Sequence, residues 1–275
     1  MSAPPRKRFP LSLTQLDGAS PRAVPASAAR VLIKPQRHWQ QAEAHARTTA
    51  PSGLGLDSSE VRLRMVQRLR AEGIEDERVL RAFAEVARHE FVDSALATQA
   101  YEDTALPIGL GQTISKPSVV ARMLSLCLQG QLTQGAAPPW RQVLEIGTGC
   151  GYQAALLSRL SRRVVSVERL KPLHDKARGH LQQYTNVSVV YADGCAGYAA
   201  SAPFDVIVAA AGGEELPEPW LQQLAPGGRL VAPLSLPGRG QALVVVDHVQ
   251  QAGRSSYVRT VHESVLFVPL KSGVM

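Results

Sequence analysis

The sequence predicts an α/β fold in which helices cover both faces of a mostly parallel sheet. Short apolar runs rich in β-branched residues alternate with helical runs between residues 142 and 233, which is the pattern of strand–helix–strand units. The first strand leads into a turn with three glycines, and two later strands end in acidic residues. Because crossovers between parallel strands are right-handed, we expect these strand ends to meet at one edge of the sheet.

The first ordered elements are predicted to be helices. Asp57 and Glu60 have capping-box spacing for a helix that ends at Gly73. A second helix follows, and its apolar face carries Val79, Leu80, Phe83 and Val86. Glycine and proline punctuate residues 89–115, which are therefore predicted to be irregular. A helix is predicted over about residues 116–128, before a Gly/Pro linker.

The alternating region supplies the predicted sheet. Its elements are strand 142–146, helix 152–160, strand 164–168, helix 170–183, strand 187–191, strand 204–210, a helix around 220–224 and strand 229–233. Three later runs, ALVVVDHV, YVRTVH and VLFVPL, predict a closing antiparallel pair. The predicted sheet is thus mostly parallel with an antiparallel closing strand.

The turn between residues 147 and 151 indicates the class of cofactor. Its glycines let the backbone bend sharply and approach a ligand beside the free N–H groups of the next helix. A dinucleotide fingerprint would need a third glycine at the position of Tyr152. The spacing found, E-x-G-x-G-x-G, resembles that of Rossmann-like S-adenosylmethionine-dependent methyltransferases. The cofactor residues assigned from this motif are Glu145, Gly147, Thr148, Gly149 and Gly151.

Two acidic strand ends extend the predicted cofactor site. Glu168 follows the first glycine by about 20 residues, where a carboxylate can accept hydrogen bonds from both ribose hydroxyls. Asp193 and Gly194 follow the third strand and are suitably placed for an adenine amino group. The alternative is an ordinary α/β domain with turn glycines and helix-capping acids. Three such strand ends in order favour S-adenosylmethionine, acting as methyl donor.

The net charge of +7 is concentrated near the N-terminus. Residues 1–56 hold 8 Lys and Arg against 2 Asp and Glu, and the rest of the chain holds 22 against 21. The nearly neutral remainder gives no case for binding nucleic acid. Prolines interrupt residues 1–56 throughout, so we predict a disordered basic extension. Contact with nucleic acid or an acidic partner, and a targeting peptide, are the alternatives.

Cysteine usage and hydropathy indicate the compartment. The three cysteines have neither an even count nor zinc-ligand spacing, so we predict no disulfide framework and no metal. No apolar run approaches the roughly 18 residues that a spanning helix needs, and the N-terminus lacks a continuous apolar signal core. The chain is therefore predicted to be cytoplasmic, without a membrane partner.

Several stretches of the chain resemble the protein-L-isoaspartate (D-aspartate) O-methyltransferase family. The matching stretches cover about residues 60–270, and LPIGLGQTIS is the most specific of them. They are RVLRAFAEVARHEFV, AYEDTALPIGLGQTISKPSVVARML, VLEIGTGCGYQAALLSRL, VVSVERL, ADG, FDVIVAAAGGEELPEPWLQQLAPGGRLVAPL and VLFVPL. Residues 1–56 have no counterpart in the family pattern.

The resemblance implies an enzyme of protein repair. It implies methyl transfer from S-adenosylmethionine to the α-carboxylate of L-isoaspartyl residues, with D-aspartyl residues as a second class, in damaged proteins and peptides. The ester then collapses to a succinimide. The active-site serine of the family matches Ser115. We predict that Thr113, Ile114 and Lys116 beside it bind the substrate, with Lys116 adding a positive charge. The family commonly continues with glutamine, proline and an aromatic residue, where this chain has Lys116, Pro117 and Ser118. That departure bears on how substrate is held.

The predicted chemistry requires positioning rather than a base. A terminal-type carboxylate has a pKa of about 3.5 and is already ionised near neutral pH. Ser115 precedes a helix with Pro117 in its first turn, so its hydroxyl and the free N–H groups can bind an anion, or it can act only as an N-cap. We interpret five histidines as surface or structural residues, namely His89, His174, His180, His248 and His262.

The chain is thus predicted to contain an extension and one methyltransferase domain. Residues 1–56 form the extension, and the domain spans residues 57–275. Within it, residues 57–130 supply N-terminal helices and a substrate loop, and residues 140–275 supply the cofactor-binding core. We expect a monomer. Two alternatives stay open, namely a methyltransferase of the same fold acting on a small molecule or RNA, and a cofactor- or peptide-binding module without activity.

Overall fold

The architecture is organised around one large sheet and a separate hairpin. The computed structural model describes residues 59–133, 138–251 and 253–275, so the predictions for residues 1–56 and for the cap at Asp57 lie outside the described residues. The strands are β1 (Leu106–Gly109), β2 (Gln112–Ile114), β3 (Trp140–Ile146), β4 (Ser161–Glu168), β5 (Val187–Tyr191), β6 (Phe204–Ala209), β7 (Leu224–Leu236), β8 (Gly240–Gln251) and β9 (Arg254–Ser264).

The seven-stranded sheet has the order β5-β4-β3-β6-β7-β8-β9. Strands β3 to β7 are parallel to one another, whereas β8 is antiparallel to both β7 and β9. This confirms the predicted mostly parallel sheet with an antiparallel closing strand. Val143 and Leu144 of β3 are both fully buried, one in each of two apolar clusters. A sheet that is apolar on both faces requires cover on both faces.

The helices supply that cover. They are α1 (Ser59–Ala71), α2 (Glu77–Glu85), α3 (Pro117–Leu128), α4 (Tyr152–Ser158), α5 (Lys171–His180) and α6 (Glu218–Gln222). Buried residues of α1 to α5 share a cluster with Val143, and Trp220 of α6 lies in the cluster with Leu144. As predicted, α1 is followed by Gly73, whose φ is +94°. In the part of the chain that the structure describes, no helix combines the length and apolarity that a membrane span demands.

Three predictions about individual segments are wrong. The stretch predicted to be irregular contains the hairpin β1–β2, because its glycines occupy the tight turn rather than preventing strand pairing. The run VLFVPL lies beyond β9 and makes only an isolated bridge from Pro269 to Gly212, since proline has no N–H for a ladder. Strand β7 is longer than predicted because it continues along β8 to Leu236. The division of the domain into residues 57–130 and residues 140–275 stays a prediction.

Candidate active site

A cavity of about 790 Å³ lies at the carboxyl edge of the parallel strands. Its walls come from the hairpin β1–β2, the glycine turn after β3, the end of β4 with the start of α5, and residues 268–271. The volume is within the range of small-molecule sites, about 300–1,000 Å³. The position is the switch point of the sheet, because β3 lies between β4 and β6.

The glycine turn follows directly from the buried strand β3. Gly147, Gly149 and Gly151 have φ values of +89°, +58° and +95°, which side chains with a Cβ rarely adopt. At Gly149 an added Cβ would also lie 3.2 Å from Cδ1 of Ile108, on the hairpin. Gly147, Thr148 and Gly149 line the cavity. The turn therefore brings bare backbone to the cavity, as cofactor binding requires.

Glu168 connects the turn to the next helix. The side chain is buried at the end of β4, and its Oε2 accepts a hydrogen bond of 2.9 Å from the Gly149 N–H. Its Oε1 accepts one of 2.9 Å from the Leu170 N–H, just before α5. Glu168 also lines the cavity. One carboxylate thus fixes two walls and can present its remaining lone pairs to a ligand.

Glu145 lies behind the turn. It is fully buried and is not among the residues that line the cavity. Its Oε2 accepts a hydrogen bond from the Ser166 hydroxyl, which lies 2.6 Å from Oγ1 of Thr148. Burial raises the pKa of Glu145 to about 8, against the opposing effect of the hydrogen bond from Ser166. Glu145, one of the predicted cofactor residues, therefore supports the glycine turn through Ser166 and does not face the cavity.

Asp193 and Gly194 follow β5, and only one of them lines the cavity. Gly194 lines the cavity, and an added Cβ would lie only 2.6 Å from Cγ2 of Ile146. Asp193 does not line it. Its Oδ1 accepts from the Cys195 N–H at 2.8 Å and its Oδ2 from the Gly273 N–H at 2.6 Å. Burial alone would raise the pKa of Asp193, but these N–H groups lower it overall.

The C-terminal segment, residues 265–275, crosses the carboxyl edge of the sheet. It is attached to the end of β6, where Gly212 N–H donates to Val268 O at 2.8 Å. Farther along, the Met275 N–H donates to Arg169 O at 2.8 Å, beside the end of β4. The segment therefore passes over the glycine turn, which lies between these strand ends. This wall could not be predicted from the sequence, because no local motif in the segment indicates a ligand.

Only some of the residues that were predicted to contact the substrate line the cavity. Thr113, Ile114 and Ser115 line it, whereas Lys116 is exposed and does not. Lys116, rather than Ser115, occupies the N-cap position of α3. Ser115 thus makes no capping hydrogen bond, so the interpretation of Ser115 as only an N-cap is wrong.

The remaining candidate residues have structural environments. Cys150 is buried, and burial raises the pKa of its thiol, which disfavours the nucleophilic thiolate. His174 and His248 are buried, and Nδ1 of His248 lies 2.9 Å from Leu224 O. Within the described ranges, no group of three or more His, Cys, Asp or Glu side chains is arranged to hold a metal ion.

The fold and the cavity define the class of protein. A glycine turn, a buried acidic strand end and a cavity at the switch point form the site of a Rossmann-like S-adenosylmethionine-dependent methyltransferase. Residues 60–275 match the sequence profile of the family described as Protein-L-isoaspartate(D-aspartate) O-methyltransferase. The chain belongs to the protein-L-isoaspartate (D-aspartate) O-methyltransferase family, which confirms the resemblance seen in the sequence.

Individual relatives agree with this assignment. The chain is 56% identical over 273 residues to the protein-L-isoaspartate O-methyltransferase of Methylibium petroleiphilum, covering 98% of this chain and 97% of the relative. The chain is 53% identical over 280 residues to the protein-L-isoaspartate O-methyltransferase of Leptothrix cholodnii, and the alignment covers 99% of this chain and 96% of that relative. Both alignments include most of residues 1–56, although the family profile begins at residue 60.

Solved structures show the same fold. A structure named protein-L-isoaspartate O-methyltransferase matches with a TM-score of 0.66 and 28% identity, covering 78% of this chain and 67% of that chain. A Plasmodium falciparum structure in complex with S-adenosyl-L-homocysteine matches with a TM-score of 0.65 and 22% identity, covering 76% and 98%. At that lower identity the likeness concerns the fold alone.

Proposed function

We propose that this chain transfers the methyl group of S-adenosylmethionine to the α-carboxylate of L-isoaspartyl residues in damaged proteins and peptides. Family membership supports the activity. For the site, the proposal depends on the position and the free hydroxyl of Ser115. It lines the same cavity as the glycine turn, and its hydroxyl has no hydrogen-bond partner within residues 59–133, 138–251 and 253–275. The hydroxyl is therefore available to a substrate.

The residues around the cavity fit the methyl donor. Gly147 and Gly149 bring backbone without a Cβ to the cavity, and Glu168 supplies a carboxylate for hydroxyl groups. We assign the donor to these residues, with Thr148 and Gly194 beside them. Gly151 and Asp193 do not line the cavity, and we assign them to its support, Gly151 in the glycine turn and Asp193 through its hydrogen bond to Gly273. When bound, S-adenosylmethionine supplies a methyl group whose bond to sulfur breaks as the bond to a carboxylate oxygen forms.

The chain is required to orient the substrate rather than to remove a proton. The isoaspartyl α-carboxylate, with a pKa of about 3.5, is ionised at neutral pH, so no base is needed. Ser115 donates a hydrogen bond that fixes one carboxylate oxygen, and the apolar hairpin residue Ile108 helps to exclude water. Thr113 and Ile114 complete the substrate wall.

All three cysteines are free, which agrees with a reducing cytoplasmic location. A monomeric state stays a prediction.

A pair of peptides tests the proposed function. The chain is incubated with S-adenosylmethionine and a peptide that contains either one isoaspartyl residue or the aspartyl residue at the same position. We expect base-labile methyl ester, measured as released methanol, only with the isoaspartyl peptide. Equal labelling of both peptides, or labelling of RNA instead, would contradict the assignment.

Ser115→Ala is expected to lower kcat for the isoaspartyl peptide by about 10- to 100-fold, because a hydrogen bond to a charged group is lost. Calorimetry should show that affinity for S-adenosylhomocysteine is retained. Ser256→Ala, on the exposed strand β9, is the matched control and should behave as the parent chain. Unchanged kcat in Ser115→Ala would remove Ser115 from the reaction.

A further inference from the structure

The hairpin on the substrate side of the cavity is a short structure. Its strands are joined through three residue pairs, with a register shift before the last: Leu106–Ile114, Pro107–Thr113 and Gly109–Gln112. A two-stranded hairpin of this size is at best marginally stable in water. Leu106, Ile108 and Ile114 are buried in the apolar cluster that contains Val143. The position of the hairpin over the cavity therefore depends on this packing and on the contacts that hold its two ends.

One carboxylate joins those ends. Asp103 precedes β1, and Ser118 lies in the first turn of α3, beyond β2. The Ser118 N–H donates to Oδ1 of Asp103 at 2.8 Å, and the Ser118 hydroxyl donates to Oδ2 at 2.7 Å. We call this pair the hairpin clasp. It closes a loop that contains the whole hairpin and Ser115, and it places a negative charge at the start of a helix, where the helix dipole favours it.

Arg88 holds the Asp103 side of the clasp. The side chain is fully buried, and its Nε donates to Ala100 O at 2.7 Å while Nη2 donates to Thr104 O at 3.3 Å. Its guanidinium lies 5.0 Å from the centre of the Tyr152 ring, at the first residue of α4 after the glycine turn. The segment that carries Asp103 is thus fixed to the cofactor side of the molecule.

We propose that Asp103 is a positioning residue for methyl transfer, which holds Ser115 at a fixed place relative to the glycine turn through the hairpin clasp. The hairpin lies close to the glycine turn, since Cδ1 of Ile108 is 3.2 Å from the place that a Cβ at residue 149 would occupy, so displacement of the hairpin would move Ser115 relative to that turn. Ser118 stands where the family commonly has an aromatic residue. The clasp gives it a role, because its hydroxyl donates the second hydrogen bond to Asp103. The inference rests on the proposed function, whose substrate it uses.

Four variants test the hairpin clasp, namely Asp103→Ala, Ser118→Ala, Ser118→Thr and Glu102→Ala. We expect kcat/KM for the isoaspartyl peptide to fall about tenfold in Asp103→Ala, which loses both hydrogen bonds, and less in Ser118→Ala. Ser118→Thr keeps the hydroxyl and should restore activity to within about twofold. Glu102 is the matched control, because its half-buried carboxylate instead faces Arg68 at 3.5 Å.

Two further measurements separate positioning from general damage. Affinity for S-adenosylhomocysteine should stay within about twofold in every variant, and amide hydrogen exchange over residues 112–118 should accelerate in Asp103→Ala but not in Glu102→Ala. Full activity in Asp103→Ala, or an equal loss of peptide turnover and of affinity for S-adenosylhomocysteine, would overturn the proposal. A parent chain inactive on the peptide would overturn the proposed function, and hydrogen exchange would then decide whether the clasp holds the hairpin.

Discussion

Glu168→Ala is expected to weaken the binding of S-adenosylhomocysteine by about 100-fold, with a lower melting temperature. The Gly149 and Leu170 N–H groups both donate to this carboxylate, so the substitution releases the glycine turn and the start of α5 together. It also removes the acidic group from the cavity wall. Isothermal titration calorimetry measures the affinity, and thermal unfolding measures the stability.

The companion variant Glu168→Gln separates the two contributions. Its amide oxygen can still accept one of the two N–H groups, whereas its NH₂ group cannot accept the other, so we expect intermediate losses. Glu72→Ala removes an exposed carboxylate just after α1 and should leave both measurements unchanged. Parent-like affinity in Glu168→Ala would show that Glu168 is dispensable for binding the methyl donor.

Glu145→Gln is expected to change how stability depends on pH. Burial raises the pKa of this carboxyl from 4.5 to about 8, so between these values the folded chain keeps a proton that the unfolded chain releases. The free energy of unfolding therefore falls as pH rises through this window, by up to about 1.4 kcal/mol per pH unit from this group. Glutamine does not titrate, so its variant should lack this contribution.

Denaturant unfolding at pH 5, 6, 7 and 8 measures the difference. The variant should gain stability over the parent chain at each step, because the parent pays an increasing penalty for its buried acid. Glu72→Gln is the exposed control and should show no such trend. A constant difference between Glu145→Gln and the parent would mean that Glu145 titrates alike in the folded and unfolded chains.

The parallel strands and the residues at their ends were predictable because the information is local. A buried strand such as β3 is a short apolar run, and its end is marked by glycine or an acid within the next few residues. The positions of the glycine turn and of Glu168 at the cavity follow directly from this pattern. The roles of the predicted site residues stay predictions until they are tested as described above.

Other features depend on pairings that the sequence does not reveal. Glu145 was assigned to the cofactor because it precedes the glycines, but it lies in register with Ser166 of β4 and forms its hydrogen bond there. Asp103 has no motif of its own, and its partner becomes apparent only when the hairpin brings Ser118 beside it. Registers and contacts between distant segments follow from tertiary packing, which local patterns do not encode.

The C-terminal segment has a consequence for synthesis of the chain. Residues 268–271 form part of the cavity wall, and they leave the ribosome after every strand of the parallel sheet. A nascent chain can therefore complete its sheet before it can enclose the methyl donor. A message cut short after β9 would encode a protein whose cavity lacks the wall formed by residues 268–271.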